Sequence, residues 1–323
     1  MNALALRSPA PVHWEDFEVP IPSGFRLASG EKLRDTHVSA RLHGAARAPV
    51  VAVLGGISAG RRVAGADGWW DDVVAAGAAI DLDQYAALGV DFAPLGDERV
   101  RITPEDQARL LECVLDYLGV ERLHAFVGAS YGGMVGLALA QRAAARIERL
   151  CVISASCKPA ALGAAWRGVQ RRIVEFGLAH NDADGGLSLA RQLAMTTYRS
   201  GEEFAARFGA GIDADGLGHV DRYLIARGDA YPAVIQPLRW LSLSEAIDRH
   251  NVDPSRIAAP TTLVASPSDQ LAPLEELQAF ARQLPRLSAF HVLPSIFGHD
   301  AFLKEATALR PILSRVLETA PHA

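Results

Sequence analysis

The stretch RLHAFVGASYGGMVGLALA, residues 122–140, decides the fold. Arg122 to Val127 is a short apolar run that reads as a strand. Tyr131 to Ala144 carries apolar residues around a helix. Between them stands Gly128-Ala129-Ser130-Tyr131-Gly132, a match to G-x-S-x-G, followed by Gly133. A strand that turns sharply into a helix through such a sequence is a nucleophile elbow. Small residues must flank the serine because backbone segments crowd there. The serine hydroxyl is then exposed above the sheet, near the positive end of the following helix. The bland alternative is a glycine-rich turn that packs a helix close to a sheet.

Outward from the elbow, strands and helices alternate. PVVAVL, residues 49–54, reads as a buried strand ended by Gly55-Gly56. Tyr85 to Phe92 is a weaker strand. Thr103 can cap a helix, with Pro104 at its first position and Asp106 where a capping box places an acid. Leu110, Leu111, Val114, Leu115 and Leu118 then recur at helical spacing. Arg149 to Ser154 is a further strand. From Cys157 to His250 no strand is convincing, and helical patterns such as Ala165 to Phe176 and Leu187 to Tyr198 take over. Thr261 to Ala265 and Ala289 to Leu293 are strands, separated by a helix over Leu274 to Leu284. A helix over Ala301 to Leu317 follows. This alternation predicts a mostly parallel central sheet with helices on both faces. The core is expected over 1–156 and 256–323, with a helical lid inserted over 157–255.

A nucleophilic serine needs a base, and the base an orienting acid. Behind an elbow the acid follows the serine in the chain and the histidine comes last. His291 lies inside a strand and His322 in the tail, whereas His299 stands in a loop after the last strand. His299 is therefore the expected base. Asp269 follows the strand TTLVA and is the expected acid. Asp248 and Asp253 precede that strand, Glu275 lies on the next helix, and Asp300 adjoins the base but should point elsewhere. Two backbone N–H groups are expected to face an oxyanion: that of Tyr131, and that of Ile57 in the loop after residues 49–54.

Composition narrows the setting. The chain has 323 residues, half of them hydrophobic and 21% charged, with a formal net charge of −5. That balance offers no general attraction to nucleic acid or an anionic membrane. Cys113, Cys151 and Cys157 form no CxxC pair, so neither a disulfide scaffold nor a cysteine-based metal site is expected. The N-terminus is not expected to be a signal peptide, since Glu15 and Asp16 follow quickly. The longest uncharged apolar run, Ala125 to Ala140, is shorter than the roughly 18–20 residues of a membrane span. A cytoplasmic protein is the expectation.

Several longer motifs resemble the homoserine O-acetyltransferase family, with its homoserine O-succinyltransferase relatives, within the α/β-hydrolase fold. They are Gly68-Trp69-Trp70-Asp71 with Ala79-Ile80-Asp81, Ser130-Tyr131-Gly132-Gly133-Met134 and Val169-Gln170-Arg171. Gly186-Leu187-Ser188-Leu189-Ala190-Arg191, Thr197-Tyr198-Arg199-Ser200 and Gly298-His299-Asp300-Ala301-Phe302-Leu303 complete the set. The resemblance implies a ping-pong acyltransferase of methionine biosynthesis. Ser130 would take an acyl group from a coenzyme A thioester as co-substrate, with no bound cofactor, and L-homoserine would remove it. It also implies that Arg191 binds the amino-acid carboxylate and Asp300 its amino group, and that the protein is a homodimer through the lid. The chain departs from the family in its oxyanion segment, Gly55-Gly56-Ile57-Ser58-Ala59, and in a short passage between Val90 and Thr103. Acetyl and succinyl donors, and homoserine and serine acceptors, stay open. A serine esterase on the same fold would need no clamp at Arg191 and Asp300. A binding protein without chemistry would need no Ser130, Asp269 and His299 set.

Overall fold

The structure is a computed structural model that describes residues 13–45, 47–209, 211–213 and 215–318. The expectation about a leader and the tail histidine His322 fall wholly or partly outside the described residues. Among the described residues ten strands are formed: β1 (Trp14–Pro20), β2 (His37–His43), β3 (Val50–Leu54), β4 (Val74–Ala75), β5 (Ile80–Asp81), β6 (Ala86–Val90), β7 (Ala125–Ala129), β8 (Leu150–Ile153), β9 (Thr261–Ala265) and β10 (Leu287–Val292). Eight make one sheet in the order β1-β2-β6-β3-β7-β8-β9-β10. β1 and β2 pair antiparallel at one edge, and β6 through β10 run parallel. β4 and β5 form a separate short parallel pair.

The parallel strands β6, β7, β8 and β9 are buried along their whole length, as a sheet covered on both faces requires. Alternate residues serve alternate faces. Ala52, Leu54, Phe126, Leu150 and Val152 join one apolar core, while Val51, Val53, Val127, Cys151 and Ile153 join the other. The first face is covered by α1 (Pro104–Tyr117) and α2 (Tyr131–Arg142). α1 begins as its sequence predicts. Thr103 Oγ1 accepts from Asp106 N at 3.2 Å, and Thr103 N donates to Asp106 Oδ2 at 3.1 Å.

Among the described residues five α-helices stand between β8 and β9: α3 (Ala161–Ala179), α4 (Ala183–Tyr198), α5 (Gly201–Arg207), α6 (His219–Asp229) and α7 (Pro237–Asp248). α8 (Leu274–Ala281) links β9 to β10. The single helix expected over Ala301 to Leu317 is instead two, α9 (Ala301–Lys304) and α10 (Ala306–Leu317). The break falls at Glu305, whose φ of −104° and ψ of 41° leave the helical region. No described helix is long and apolar enough to cross a membrane.

β3 has its successor strands on opposite sides, β6 on one and β7 on the other. Chain direction away from β3 therefore reverses there, which opens a crevice at the carboxyl ends of the strands. The loops after β3, β7, β9 and β10 all emerge at that end, and they carry Ile57, Ser130, Asp269 and His299.

Candidate active site

Ser130 sits between β7 and α2 with φ 53° and ψ −122°, a conformation that L-residues avoid. The neighbouring glycines permit it. A Cβ on Gly132 would lie 2.2 Å from Leu54 O, and one on Gly128 2.5 Å from Gly132 O. The turn is pinned by Gly132 N donating to Gly55 O at 2.8 Å. Tyr131 is buried and meets Phe92 edge to face with ring centroids 4.8 Å apart.

Ser130, His299 and Asp269 form one hydrogen-bonded chain. His299 Nε2 is 2.8 Å from Ser130 Oγ, and His299 Nδ1 is 2.8 Å from Asp269 Oδ2. Asp269 is held in turn, since its Oδ1 accepts from Leu271 N at 2.8 Å and Ala272 N at 3.0 Å. Ser268 ties the acid loop to the histidine loop: its Oγ donates to Ser295 O at 2.6 Å and accepts from Gly298 N at 3.0 Å. Burial of His299 favours its neutral form, but the Asp269 charge and hydrogen bond outweigh it and hold the imidazole above its ordinary value of 6.5. A carboxylate on Nδ1 leaves Nε2 to exchange a proton with the serine.

The rejected acids are engaged elsewhere. Asp248 pairs with Arg167 and Arg171, Asp253 accepts from Ser255 N at 3.0 Å, and Glu275 is exposed on α8. The backbone N–H groups of Ile57 and Tyr131 have no acceptor among the described residues. Trp69 and Trp70 stack at 5.1 Å beside the loop that carries Ile57, with Trp69 Nε1 donating to Gly60 O at 3.1 Å.

Ser130 and His299 open on a cavity of about 290 Å³ that Ile57, Arg191, Asp300 and Tyr198 also line. Arg191 reaches it from α4, with its guanidinium carbon 4.5 Å from the Tyr231 ring centre and 5.3 Å from that of Tyr198. Tyr231 is fixed to the Ile57 loop by a 2.7 Å hydrogen bond with Ser58 Oγ. No carboxylate pairs with Arg191 among the described residues. Asp300, by contrast, already has a cation: Arg199 Nε is 3.1 Å from Asp300 Oδ2. Arg199 also binds Glu203, and both are buried. This Asp300–Arg199–Glu203 cluster escapes sequence reading, because Arg199 and Glu203 look like a solvated i, i+4 pair on a helix. Among the described residues no group of three His, Cys, Asp or Glu side chains could hold a metal ion.

The family defined by the alpha/beta hydrolase fold matches residues 49–306. The homoserine O-succinyltransferase of Xanthomonas campestris pv. campestris is 42% identical over 295 residues, which span 88% of this chain and 80% of that protein. The chain belongs to the homoserine O-acyltransferase family. Among solved structures, the homoserine O-acetyltransferase of Bacillus anthracis superposes with a TM-score of 0.83 at 18% identity, covering 96% of this chain and 98% of that one. Esterase E22 gives 0.84 at 18% identity, covering 95% and 100%. Those two likenesses speak for the fold alone.

Proposed function

We propose that this protein transfers an acyl group from a coenzyme A thioester to the hydroxyl of L-homoserine, through an ester on Ser130. The observation that carries the reading is one cavity in which the Ser130–His299–Asp269 chain meets Arg191 and Asp300, two fixed charges of opposite sign. A plain esterase has no use for that pair.

The steps follow from the geometry. Ser130 Oγ attacks the thioester carbonyl as its proton passes to His299 Nε2. The Ile57 and Tyr131 N–H groups receive the charge that develops on the carbonyl oxygen. The C–S bond breaks, and the thiolate leaves with the proton from His299. The homoserine hydroxyl then attacks the Ser130 ester, giving its proton to His299. The bond to Ser130 Oγ breaks and that oxygen takes the proton back. Asp269 holds the imidazole throughout and stabilises its cation.

Water competes for the same ester. Arg191 on the acceptor carboxylate and Asp300 on its ammonium fix both ends of homoserine. Such fixation supplies effective molarities of roughly 10⁵ M or more, enough for the hydroxyl to win. Tyr198 and Tyr231 orient the Arg191 guanidinium by stacking. The product would be an O-acyl-L-homoserine, and we read the reaction as a step of methionine biosynthesis.

Helices α3 to α7 act as a lid over residues 157–255 on a core of 1–156 and 256–323. Leu162, Val169 and Phe176 recur every seven residues on α3 and are exposed. A stripe of that kind is a helix-pairing face, and we assign it to a homodimer through the lid. Three free cysteines suit the reducing cytoplasm. The reading is tested by incubating the protein with acyl-CoA and homoserine and measuring O-acylhomoserine. Release of free acid regardless of homoserine would make it an esterase.

A further inference from the structure

The two N–H groups that face the oxyanion are held very differently. Tyr131 N opens α2, and the elbow fixes it. Ile57 lies in the loop after β3 and belongs to neither helix nor strand. That loop is tied at its two ends. Gly55 O accepts from Gly132 N at 2.8 Å, Gly60 O accepts from Trp69 Nε1 at 3.1 Å, and Arg61 N donates to Asp91 Oδ1 at 2.7 Å. Between the ties the backbone makes one hydrogen bond, from Ala59 N to Gly56 O at 2.8 Å, and that one stays inside the loop. Ile57 packs its side chain into the core. Apolar burial is non-directional, so it sets the depth of Ile57 and not the heading of its N–H.

Among the described residues a single hydrogen bond joins 56–59 to the rest of the molecule. Ser58 Oγ, on the cavity wall, lies 2.7 Å from Tyr231 Oη. With Gly55 held on one side and Ser58 on the other, the peptide that carries the Ile57 N–H has little span in which to turn.

Tyr231 is a firm post. It is 5% exposed and stands just past α6. Its N donates to Gly228 O at 2.9 Å, and its carbonyl accepts from Val234 N at 2.8 Å. The end of α6 is fixed to α4 in turn. Ser188 Oγ donates to Asp229 Oδ1 at 3.0 Å, and a Cβ on Gly228 would come to 2.6 Å from Ser188 Oγ. Ser188 and Arg191 share α4, and the Arg191 guanidinium lies over the Tyr231 ring. The ring of Tyr231 thus serves the acceptor clamp, and its hydroxyl serves the oxyanion loop.

We propose that the Ser58–Tyr231 hydrogen bond aims the Ile57 N–H at the oxyanion, which makes Ser58 and Tyr231 positioning residues for both half-reactions. This rests on the acyl-Ser130 reading, in which the carbonyl oxygen sits between Ile57 and Tyr131. The tetrahedral species of acylation and of deacylation place their charge in the same spot, so both steps depend on the same donors. Loss of the bond therefore differs from loss of Arg191, which meets only the acceptor.

The test joins rapid-quench kinetics to infrared spectroscopy of the Ser130 ester. The ester is formed from acyl-CoA carrying ¹³C at its carbonyl, acetyl or succinyl, whichever acylates wild type faster. The variants are Ser58→Ala, Tyr231→Phe, which keeps the ring under Arg191, and the two together. Each single variant should slow acylation and transfer to homoserine alike, by roughly 3- to 10-fold, the worth of one hydrogen bond. The double variant should be no slower than either. The ester carbonyl band should move to higher frequency in all three, because a carbonyl that loses an N–H donor regains double-bond character. Ser58→Thr keeps the hydroxyl and should keep the wild-type rates and band. A band that does not move, losses that multiply in the double variant, or slowing confined to transfer would overturn the proposal and leave acyl transfer standing. A wild-type ester that homoserine does not discharge would overturn acyl transfer and leave the positioning role standing, since hydrolysis uses the same donors. Absence of any Ser130 ester in wild type would overturn both.

Discussion

Arg199 stands between two carboxylates, with Nε 3.1 Å from Asp300 Oδ2 and Nη1 on Glu203. Arg207 Nη1 lies 3.8 Å from Glu203 Oε1 as well, so two guanidinium groups and two carboxylates alternate in one chain beside His299. Gly298 brings the histidine loop against the same helix end: a Cβ there would lie 2.4 Å from Tyr198 O.

Arg199→Leu takes its nearest cation from the buried Glu203 and its ion-pair partner from the half-buried Asp300. Removing one partner of a buried pair costs about 3–5 kcal/mol, and urea unfolding at neutral pH should register a loss of that order. Arg199→Lys, which keeps the charge, should recover part of the loss. No recovery in Arg199→Lys would assign Arg199 to packing.

The pH dependence of acylation follows from His299. The base must be neutral to accept the serine proton, and Asp269 holds its pKa above the ordinary 6.5. Single-turnover acylation should therefore fall on the acid side with an apparent pKa above that value. Asp269→Asn removes the charge that raises it and should move the midpoint down while slowing the step severely, since the imidazole loses its orientation. A midpoint that does not move would separate Asp269 from His299.

Linkage gives His250 a different consequence. Burial lowers its pKa to about 4, with Nε2 3.1 Å from Ser156 O. A histidine with a depressed folded pKa contributes stability above its unfolded pKa, and that contribution drains away as pH falls towards the folded one. Stability should drop between about pH 6.5 and 4, by roughly 3 kcal/mol from this group. Urea midpoints of wild type and His250→Gln should converge as the pH is lowered through that window. Parallel curves would remove His250 from the account of acid stability.

Arg191→Ala addresses the acceptor clamp. Loss of a charge-assisted contact costs about 1.5–3 kcal/mol, so transfer to homoserine should slow by roughly 10- to 100-fold. Acylation of Ser130 should slow far less, and the acyl-enzyme should partition towards hydrolysis. Equal slowing of both half-reactions would place Arg191 in the fold or against the thioester.

The parallel strands were legible because burial on both faces makes them uninterrupted apolar runs. β1 and β2 were not. β1 carries Glu15, Asp16 and Glu18, and β2 buries Arg41 and His43. Arg41 is tolerated because it forks onto Asp16, with both N···O distances at 2.7 Å, a cross-strand pairing that no run of residues announces. The elbow was readable since its glycines are demanded by contacts within a few residues and with the adjoining strand end. The histidine and its acid could be proposed because their loops follow recognisable strands. Arg167 and Arg199 could not. Arg167 is a charged residue on α3 and Arg199 one just past the end of α4, and only the fold places the first beside Asp248 and the second beside Asp300.

The most direct test of an acyl-Ser130 intermediate is intact-mass and peptide-mapped mass spectrometry of protein quenched after mixing with acyl-CoA, before and after homoserine is added. One acyl group should appear on Ser130, be absent in Ser130→Ala, and vanish with homoserine far faster than in buffer as O-acylhomoserine forms. An adduct on Cys113, Cys151 or Cys157, or a Ser130 ester that decays equally fast with and without homoserine, would contradict it.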